Sequence, residues 1–256
     1  MRNILLLFVC ILFAGEVCSQ VTFTKVTSGA IVNDASYTEG VYWFDYNNDG
    51  LLDMFAANIT NQNNILFRND GSGNFTKITA GALVNDGGFS YGASIGDYNN
   101  DGFPDIFVVN GGSSASQNNF FYTNNGDGTF TKVTTGTFVN EIGNSWGSSS
   151  VDYDKDGKLD IYTANYNRNN FLYKGNGDGS FTKITAGAIV NDGGNSLNCA
   201  WGDYDNDGYP DVFVANANFT AGENNFLYKN NGDGTFTKIT TGNIVNDGGN
   251  STGASW

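Results

Sequence analysis

The chain has 256 residues, with 26 acidic side chains against 12 basic ones, no histidine, three cysteines and a formal charge of −14. So acidic a chain, with its few lysines scattered, has no electrostatic footprint for a polyanion, which excludes nucleic acid as a partner. The absence of histidine excludes Ser/His/Asp and Cys/His catalysis and any imidazole-based metal site.

Taken in chain order, the first element is a leader. Arg2 gives a positive start, Ile4 to Phe13 form a short apolar run, and Val17 and Ser19 suit cleavage before Gln20. Residues 1–19 are therefore predicted to be a secretory signal peptide. The run breaks at Gly15 and Glu16, short of the roughly 20 apolar residues a membrane span needs, and Glu16 spoils the approach to Cys18 for lipidation. Cys10 and Cys18 leave with the leader, so Cys199 is alone and no intrachain disulfide forms. Residues 20–256 must be held by a core, which a chain of this length can bury. The predicted destination is outside the cell or on its surface, with no membrane span in the mature chain. Export without disulfides fits a bacterial protein.

The rest is one unit written four times and a fraction. Four nine-residue windows recur: DYNNDGLLD at 45–53, DYNNDGFPD at 97–105, DYDKDGKLD at 152–160 and DYDNDGYPD at 203–211. They hold 14 of the 26 acidic residues, so the acidity is organised and not a generic solubility device. FTKVT or FTKIT recurs in step at 23, 75, 130, 181 and 236, each followed by an IVND-like segment. A period of about 50 residues marks a propeller or solenoid. Within the fourth unit a short strand leads to Trp201, and Asp211 to Ala215 makes a second. Asn225 to Lys229 makes a third, and NNGDG at 230–234 turns the chain into a fourth, Phe236 to Thr240. No segment of the mature chain carries a sustained 3.6-residue period, so almost no helix is expected.

Four antiparallel strands per unit predict an all-β fold, a β-propeller with about 51–55 residues per blade over residues 20–256. A parallel β-helix has much shorter rungs and cannot hold the internal hairpin. The chain opens on a last-strand segment, Phe23 to Thr27, and ends on a first-strand segment, Gly253 to Trp256. Four blades plus shared pieces of a fifth are expected, as a fragment of a larger ring; a closed four-blade ring with 242–256 as a surplus tail is the alternative.

Alternating carboxylates on a tight loop point at one centre, which suits a hard cation that takes six to eight oxygens. Positions 1, 3, 5 and 9 of the windows are Asp45, Asn47, Asp49 and Asp53; Asp97, Asn99, Asp101 and Asp105; Asp152, Asp154, Asp156 and Asp160; and Asp203, Asp205, Asp207 and Asp211. A glycine at position 6 reverses the chain. Position 7, which is Leu51, Phe103, Lys158 or Tyr209, offers its backbone carbonyl, with side-chain identity free. An EF-hand needs a bidentate Glu at position 12, where these windows have Ala56, Val108, Thr163 and Val214. Calcium is preferred to magnesium because seven flexible protein oxygens suit it. About four calcium sites are expected, each locking one hairpin.

Elsewhere, Asp34, Asp86, Glu141, Asp192 and Asp247 recur in the IVND-like segments, which points to turn structure over a unique pair of catalytic carboxylates. Trp43 and Trp201 occupy equivalent positions and are expected in the core, as is Cys199. Trp146, out of register in a longer linker, is the best candidate for a ligand surface, and Phe89 and Tyr91 also break the repeat.

Through the D-x-[DN]-x-D-G-x-x-D loops, the PDVFVAN and NNFLYKNNGDGTFTKIT segments and the period, the chain resembles the integrin-alpha-like FG-GAP repeat, in its bacterial form the VCBS repeat. The resemblance covers essentially all of the mature chain. It implies a calcium-binding propeller, usually of seven blades, with calcium on loops between the first two strands of a blade. It further implies adhesion, carbohydrate contact or service as a module of larger secreted proteins. The expected function is a non-catalytic binding module for a carbohydrate or an extracellular protein; the alternative is the scaffold of a larger secreted enzyme, such as one that degrades polysaccharide.

Overall fold

In the computed structural model, which describes residues 23–112 and 117–256, each repeat forms one four-stranded antiparallel sheet whose strands pair in chain order. The predicted leader, residues 1–19, lies outside the described residues. Blade 1 comprises β1 (Thr38–Phe44), β2 (Asp53–Asn58), β3 (Ile65–Gly71) and β4 (Asn74–Ile78). Blade 2 comprises β5 (Ser90–Gly96), β6 (Asp105–Asn110), β7 (Phe120–Asn124) and β8 (Phe130–Val133). Blade 3 comprises β9 (Ser145–Val151), β10 (Asp160–Asn165), β11 (Phe171–Gly175) and β12 (Phe181–Ile184). Blade 4 comprises β13 (Ser196–Gly202), β14 (Asp211–Asn216), β15 (Phe226–Asn230) and β16 (Phe236–Ile239). The expected β-propeller blades are thus present, and in blade 4 the second, third and fourth strands lie within a residue or so of their predicted limits.

The second strands explain the stacking. β2, β6 and β10 are buried at every residue: β6 and β10 lie between two blades, whereas the outer face of β2 packs with Ile31, Ile65, Phe67 and Phe75 of its own repeat. Such strands read as continuous runs like DIFVVN instead of alternating. Apolar clusters fill the space between successive blades, with Phe44, Phe55 and Ile106 in the first, Phe107, Phe121 and Phe138 in the second, and Tyr162, Val212 and Tyr228 in the third. Full burial of each large side chain contributes about 1.5–3 kcal/mol. Cys199 is buried in the third cluster, as expected.

Each first strand packs against the first and second strands of the blade before it. Blades 1 and 4 do not pack on each other in this way, so the four blades form an open arc, which corrects the closed four-blade alternative. The two end segments also differ from expectation. Phe23 to Thr27 form no strand and Phe23 is exposed, because fourth strands pair with the third strand of their own blade and no third strand precedes this segment among the described residues. Gly253 to Trp256 form no strand either, yet the Trp256 ring lies against Gly202, alongside the end of β13.

The IVND-like segments make single 3₁₀ turns, or in blade 3 the four-residue α1 (Thr137–Asn140). Ahead of blades 2, 3 and 4 their apolar residues enter the core, as Leu83 and Val84, Phe138 and Val139, and Ile189 and Val190, and an Asn caps the turn: Asn85 Nδ2, for example, donates to the carbonyls of Thr79 and Gly81. No helix among the described residues is long and apolar enough to cross a membrane.

Two tryptophans are placed differently than predicted. Trp201 packs edge-on to Tyr162 of the preceding blade at 5.9 Å. Trp43, its equivalent, is 50% exposed because no blade precedes blade 1 among the described residues. Trp146 is no linker residue but the second residue of β9. The extra length of that repeat falls between the second and third strands, where the paired Asn110 and Asn119 are nine residues apart against six for Asn58 and Asn64.

Candidate metal centres

Every acidic window is the connection from first to second strand of a blade, at one end of the arc. The position-1 carboxylates shape the loops, each accepting two backbone N–H bonds. Asp45 takes those of Asp49 and Gly50 at 3.1 and 2.7 Å, Asp97 those of Asp101 and Gly102 at 3.0 and 2.8 Å. Asp152 and Asp203 do the same. Asp49, Asp101, Asp156 and Asp207 then accept the N–H of Leu51, Phe103, Lys158 and Tyr209. The backbone folds this way because positions 4 and 6 both take positive φ: 59° at Asn206 and 91° at Gly208 in the fourth loop. Asn and Gly reach that region at low cost, whereas Lys155 holds it at φ 59° in the third.

The position-9 carboxylates are fully buried. Asp160 accepts the N–H of Tyr153 at 3.0 Å and of Gly175 at 2.8 Å, tying the loop to the third strand. Asp53, Asp105 and Asp211 repeat the arrangement. Burial pushes the Asp160 carboxyl up to about 7 and that of Asp105 up to about 6, against N–H bonds that pull them down. Asp53 and Asp211 shift upward for the same reason. Such a carboxylate gains most from a nearby cation, which favours its ionised form.

In loops 3 and 4 the structure brings three carboxylates to one centre: Asp152, Asp154 and Asp156 offer oxygens within 4.8 Å of one another, as do Asp203, Asp205 and Asp211. Loops 1 and 2, with Asn47 and Asn99 at position 3, gather no such trio among the described residues. Two observations test whether these side chains fit a hard cation. Asp154 Oδ1 is buried in its loop without a hydrogen-bond partner. A lysine ammonium from the third strand of the blade stands in as the cation. Lys174 pairs with Asp154 and lies 3.1 Å from Asp156, while Lys229 pairs with Asp205 and lies 2.9 Å from Asp207. The oxygen-only donor set fits calcium.

Three functional positions escaped sequence reasoning. The tyrosine at position 2 serves the blade interface: Tyr46, Tyr98 and Tyr153 are buried, and the carbonyls of Tyr46 and Tyr153 accept Asn124 Nδ2 and Asn230 Nδ2 of the next blade at 2.7 and 2.8 Å. Its presence in all four windows, where metal binding asks nothing of it, was the available signal. Position 4 bridges loops, Asn48 Nδ2 donating to Gly102 O and Lys155 lying over the Tyr209 ring. Position 7 is not free as expected, because its side chain packs on the turn joining third and fourth strands: a Cβ at Gly126 or Gly232 would sit 2.7 Å from Phe103 or Tyr209.

Of the IVND carboxylates, the four ahead of the blades, Asp34, Asp86, Glu141 and Asp192, are engaged within their own blades. Asp86 meets Lys132 at 2.8 Å and the Tyr122 hydroxyl at 2.7 Å; Asp192 meets Lys238 and Tyr228, and Asp34 meets Lys77. Glu141 pairs with Lys183 and Tyr173. These contacts tie the segment ahead of the first strand to the last strand, the structural role the sequence suggested.

A family model described as FG-GAP-like repeat matches residues 45–108, 99–163 and 152–214, each match running from one acidic loop past the next. No curated protein matches the chain. Among solved structures it is similar to an Agrocybe aegerita lectin described by its specific recognition of non-reducing terminal N-acetylglucosamine. That match has 20% identity and a TM-score of 0.51 over 78% of this chain and 51% of the other. It is also similar to the Dos1 propeller, at 9% identity and a TM-score of 0.46 over 80% of this chain and 48% of the other. The V. cholerae biofilm matrix protein Bap1 matches at 12% identity and a TM-score of 0.37, over 84% of this chain and 42% of that one. The chain spans about half the length of these structures or less, and the likeness is one of fold.

Proposed function

The chain belongs to the FG-GAP-like repeat family, and from that premise we propose that it is an exported calcium-binding β-propeller serving as a non-catalytic binding module. The observation that carries the calcium half is the stand-in ammonium: in loops 3 and 4 a cation already occupies the mouth of a carboxylate cluster. Calcium would be held by Asp152, Asp154, Asp156 and Asp160 in the third loop and by Asp203, Asp205, Asp207 and Asp211 in the fourth, with the carbonyls of Lys158 and Tyr209. In the first two loops the ligands would be Asp45, Asn47, Asp49 and Asp53, and Asp97, Asn99, Asp101 and Asp105, with the carbonyls of Leu51 and Phe103.

Bound there, the ion supplies charge compensation and cross-linking. Each loop is already tied to its third strand through the buried position-9 carboxylate, and loops 1 to 3 to the next blade through position 2, so a cation that rigidifies the loop braces the stack. Four uses of one motif argue for architecture, and recognition falls to surfaces that do not repeat. The lectin similar in fold, which is described by its recognition of N-acetylglucosamine, supports the binding role.

Thermal unfolding tests the brace. At 100 times its Kd, calcium at one site adds about 2.7 kcal/mol, and a chain of this size gains about 2–4 °C per kcal/mol. The melting temperature should therefore rise by at least about 5 °C from EDTA to calcium; identical curves overturn the reading.

A further inference from the structure

At the end of the arc opposite the acidic loops, one position per blade escapes the repeat. Glu39, Tyr91, Trp146 and Leu197 are each the second residue of a first strand, and each is skipped by the ladder: Thr38 pairs with Asn58 and Gly40 with Ala57, Ser90 with Asn110 and Gly92 with Val109, and likewise in blades 3 and 4. Each is thus the extra residue of a β-bulge, a device that turns a side chain away from the sheet. Thr252 holds the same offset after Ser251. The residue just before each bulge is pinned, since Thr38, Ser90, Ser145 and Ser196 hydroxyls donate to the fully buried Asn58, Asn110, Asn165 and Asn216 at 2.7–2.9 Å. The glycine after it admits the next blade, for a Cβ at Gly92 would sit 3.2 Å from the Trp146 carbonyl and one at Gly147 2.6 Å from that of Leu197.

These bulged side chains converge on one cavity of about 250 Å³, joined by Asn198, where blade 4 replaces that glycine, and by Phe219. A scaffold repeated four times thus presents four different side chains at one place, the reverse of the metal loops. The Tyr91 and Trp146 rings lie 4.2 Å apart, Phe219 extends the wall, and Tyr166 joins Trp146 and Phe219 at 5.7 and 6.4 Å without lining the cavity itself. Glu39, Asn198 and Thr252 supply a carboxylate, an amide and a hydroxyl whose side chains hydrogen-bond to nothing among the described residues.

We propose that this bowl is a binding site for one uncharged pyranose ring, the terminal residue of a neutral glycan. The volume is below the roughly 300–1,000 Å³ of pockets for drug-sized ligands, which suits a single ring. The aromatic wall takes the C–H face of a sugar and the free polar groups take its hydroxyls. Glu39, on a chain of charge −14, repels a uronic or sialic acid. The Tyr91 and Trp146 rings lean on each other at 33° instead of standing round a point, so they form no cage for a cation.

The inference rests on the binding-module reading but not on calcium, and the test keeps them apart. The full chain in calcium is titrated with methyl glycosides of glucose, galactose, mannose and N-acetylglucosamine, with methyl glucuronide as the charged control, by saturation-transfer NMR. At least one neutral glycoside should bind saturably and the glucuronide should not. Trp146→Ala and Glu39→Gln should each weaken binding about tenfold or more while the calcium-dependent melting shift persists. Should Trp146→Ala lower stability, the exposed Glu39 and Phe219 carry the test through Glu39→Gln and Phe219→Ala. Absence of any neutral hit, equal binding of the glucuronide, or a hit indifferent to Glu39→Gln and Phe219→Ala overturns the bowl. A glycan bound elsewhere leaves the binding-module reading standing, and an absent melting shift overturns the calcium brace alone.

Discussion

The acidic loops of blades 1 and 2 differ from those of blades 3 and 4 by one atom type at position 3, and the neighbouring strand differs with them. In blades 1 and 2 the amides of Asn47 and Asn99 donate to Asp49 and Asp101 at 2.9 and 2.8 Å. In blades 3 and 4 the same place is taken by Asp154 and Asp205, and an ammonium from the third strand bridges each to Asp156 or Asp207. The third-strand residue equivalent to Lys174 and Lys229 is Arg68 in blade 1, turned to Asp70 at 2.8 Å, and Thr123 in blade 2. An extra carboxylate is matched by an extra ammonium. The loops therefore solve one problem, like charge crowded on a tight turn, by two routes: dilution with an amide, or an internal counter-ion. On the proposed calcium reading, an ion entering blades 3 and 4 would have to displace a lysine that blades 1 and 2 do not have.

Position 9 is the control for that comparison, because it is the same in all four loops and should not distinguish the pairs. Removing the Asp105 or Asp160 carboxylate leaves two buried backbone N–H groups without acceptors, at about 1–3 kcal/mol each. Asp105→Ala and Asp160→Ala should each lower stability in EDTA by about 2–6 kcal/mol, read by urea denaturation. A large cost in blade 3 with none in blade 2 would break the structural equivalence of the pairs.

The counter-ion route predicts a smaller effect with a direction of its own. Lys174→Met with Lys229→Met leaves the clustered aspartates of both loops uncompensated, which should lower the melting temperature in EDTA. The same change removes the competitor, so calorimetric titration should show about tenfold tighter calcium binding at two of the sites, with the other two unchanged. Tighter binding at all four sites, or at none, would show that the lysines are ordinary surface pairs.

Much of this was legible from repetition. The second strands announced themselves as apolar runs, and positions 1, 3, 5 and 9 were visible because four copies alternate carboxylate or amide with anything else. The lysines were not visible as partners, since Lys174 and Lys229 lie 20 and 24 residues from Asp154 and Asp205 and meet them only through strand register. Trp43 and Trp201 hold the same place two residues before their acidic windows and differ in exposure, because what covers them is a neighbouring blade. Trp146 was noticed for its chemistry and misplaced in position, since a spacing of 55 residues says that a repeat is longer without saying where. The bulge that aims it is a matter of ladder pairing, which side-chain patterns do not reveal.

The smallest expected effect is the sharpest test of the two routes. Asn47→Asp gives blade 1 the carboxylate of blades 3 and 4 without their lysine, since Arg68 at the equivalent place is held by Asp70 and Asp70 in turn accepts the Thr76 hydroxyl. The new carboxylate removes the amide donor to Asp49 and adds like charge beside it. In EDTA the variant should melt slightly lower than the parent. In calcium the added oxygen charge should tighten the first site a few-fold, since affinity rises with ligand charge. If Arg68 instead leaves Asp70 to pair with the new aspartate, the EDTA melting temperature recovers and the affinity gain is lost, and Asn47→Asp combined with Arg68→Gln restores both differences. That outcome would place Arg68 with Lys174 and Lys229 as a counter-ion held in reserve, and the two routes would be one.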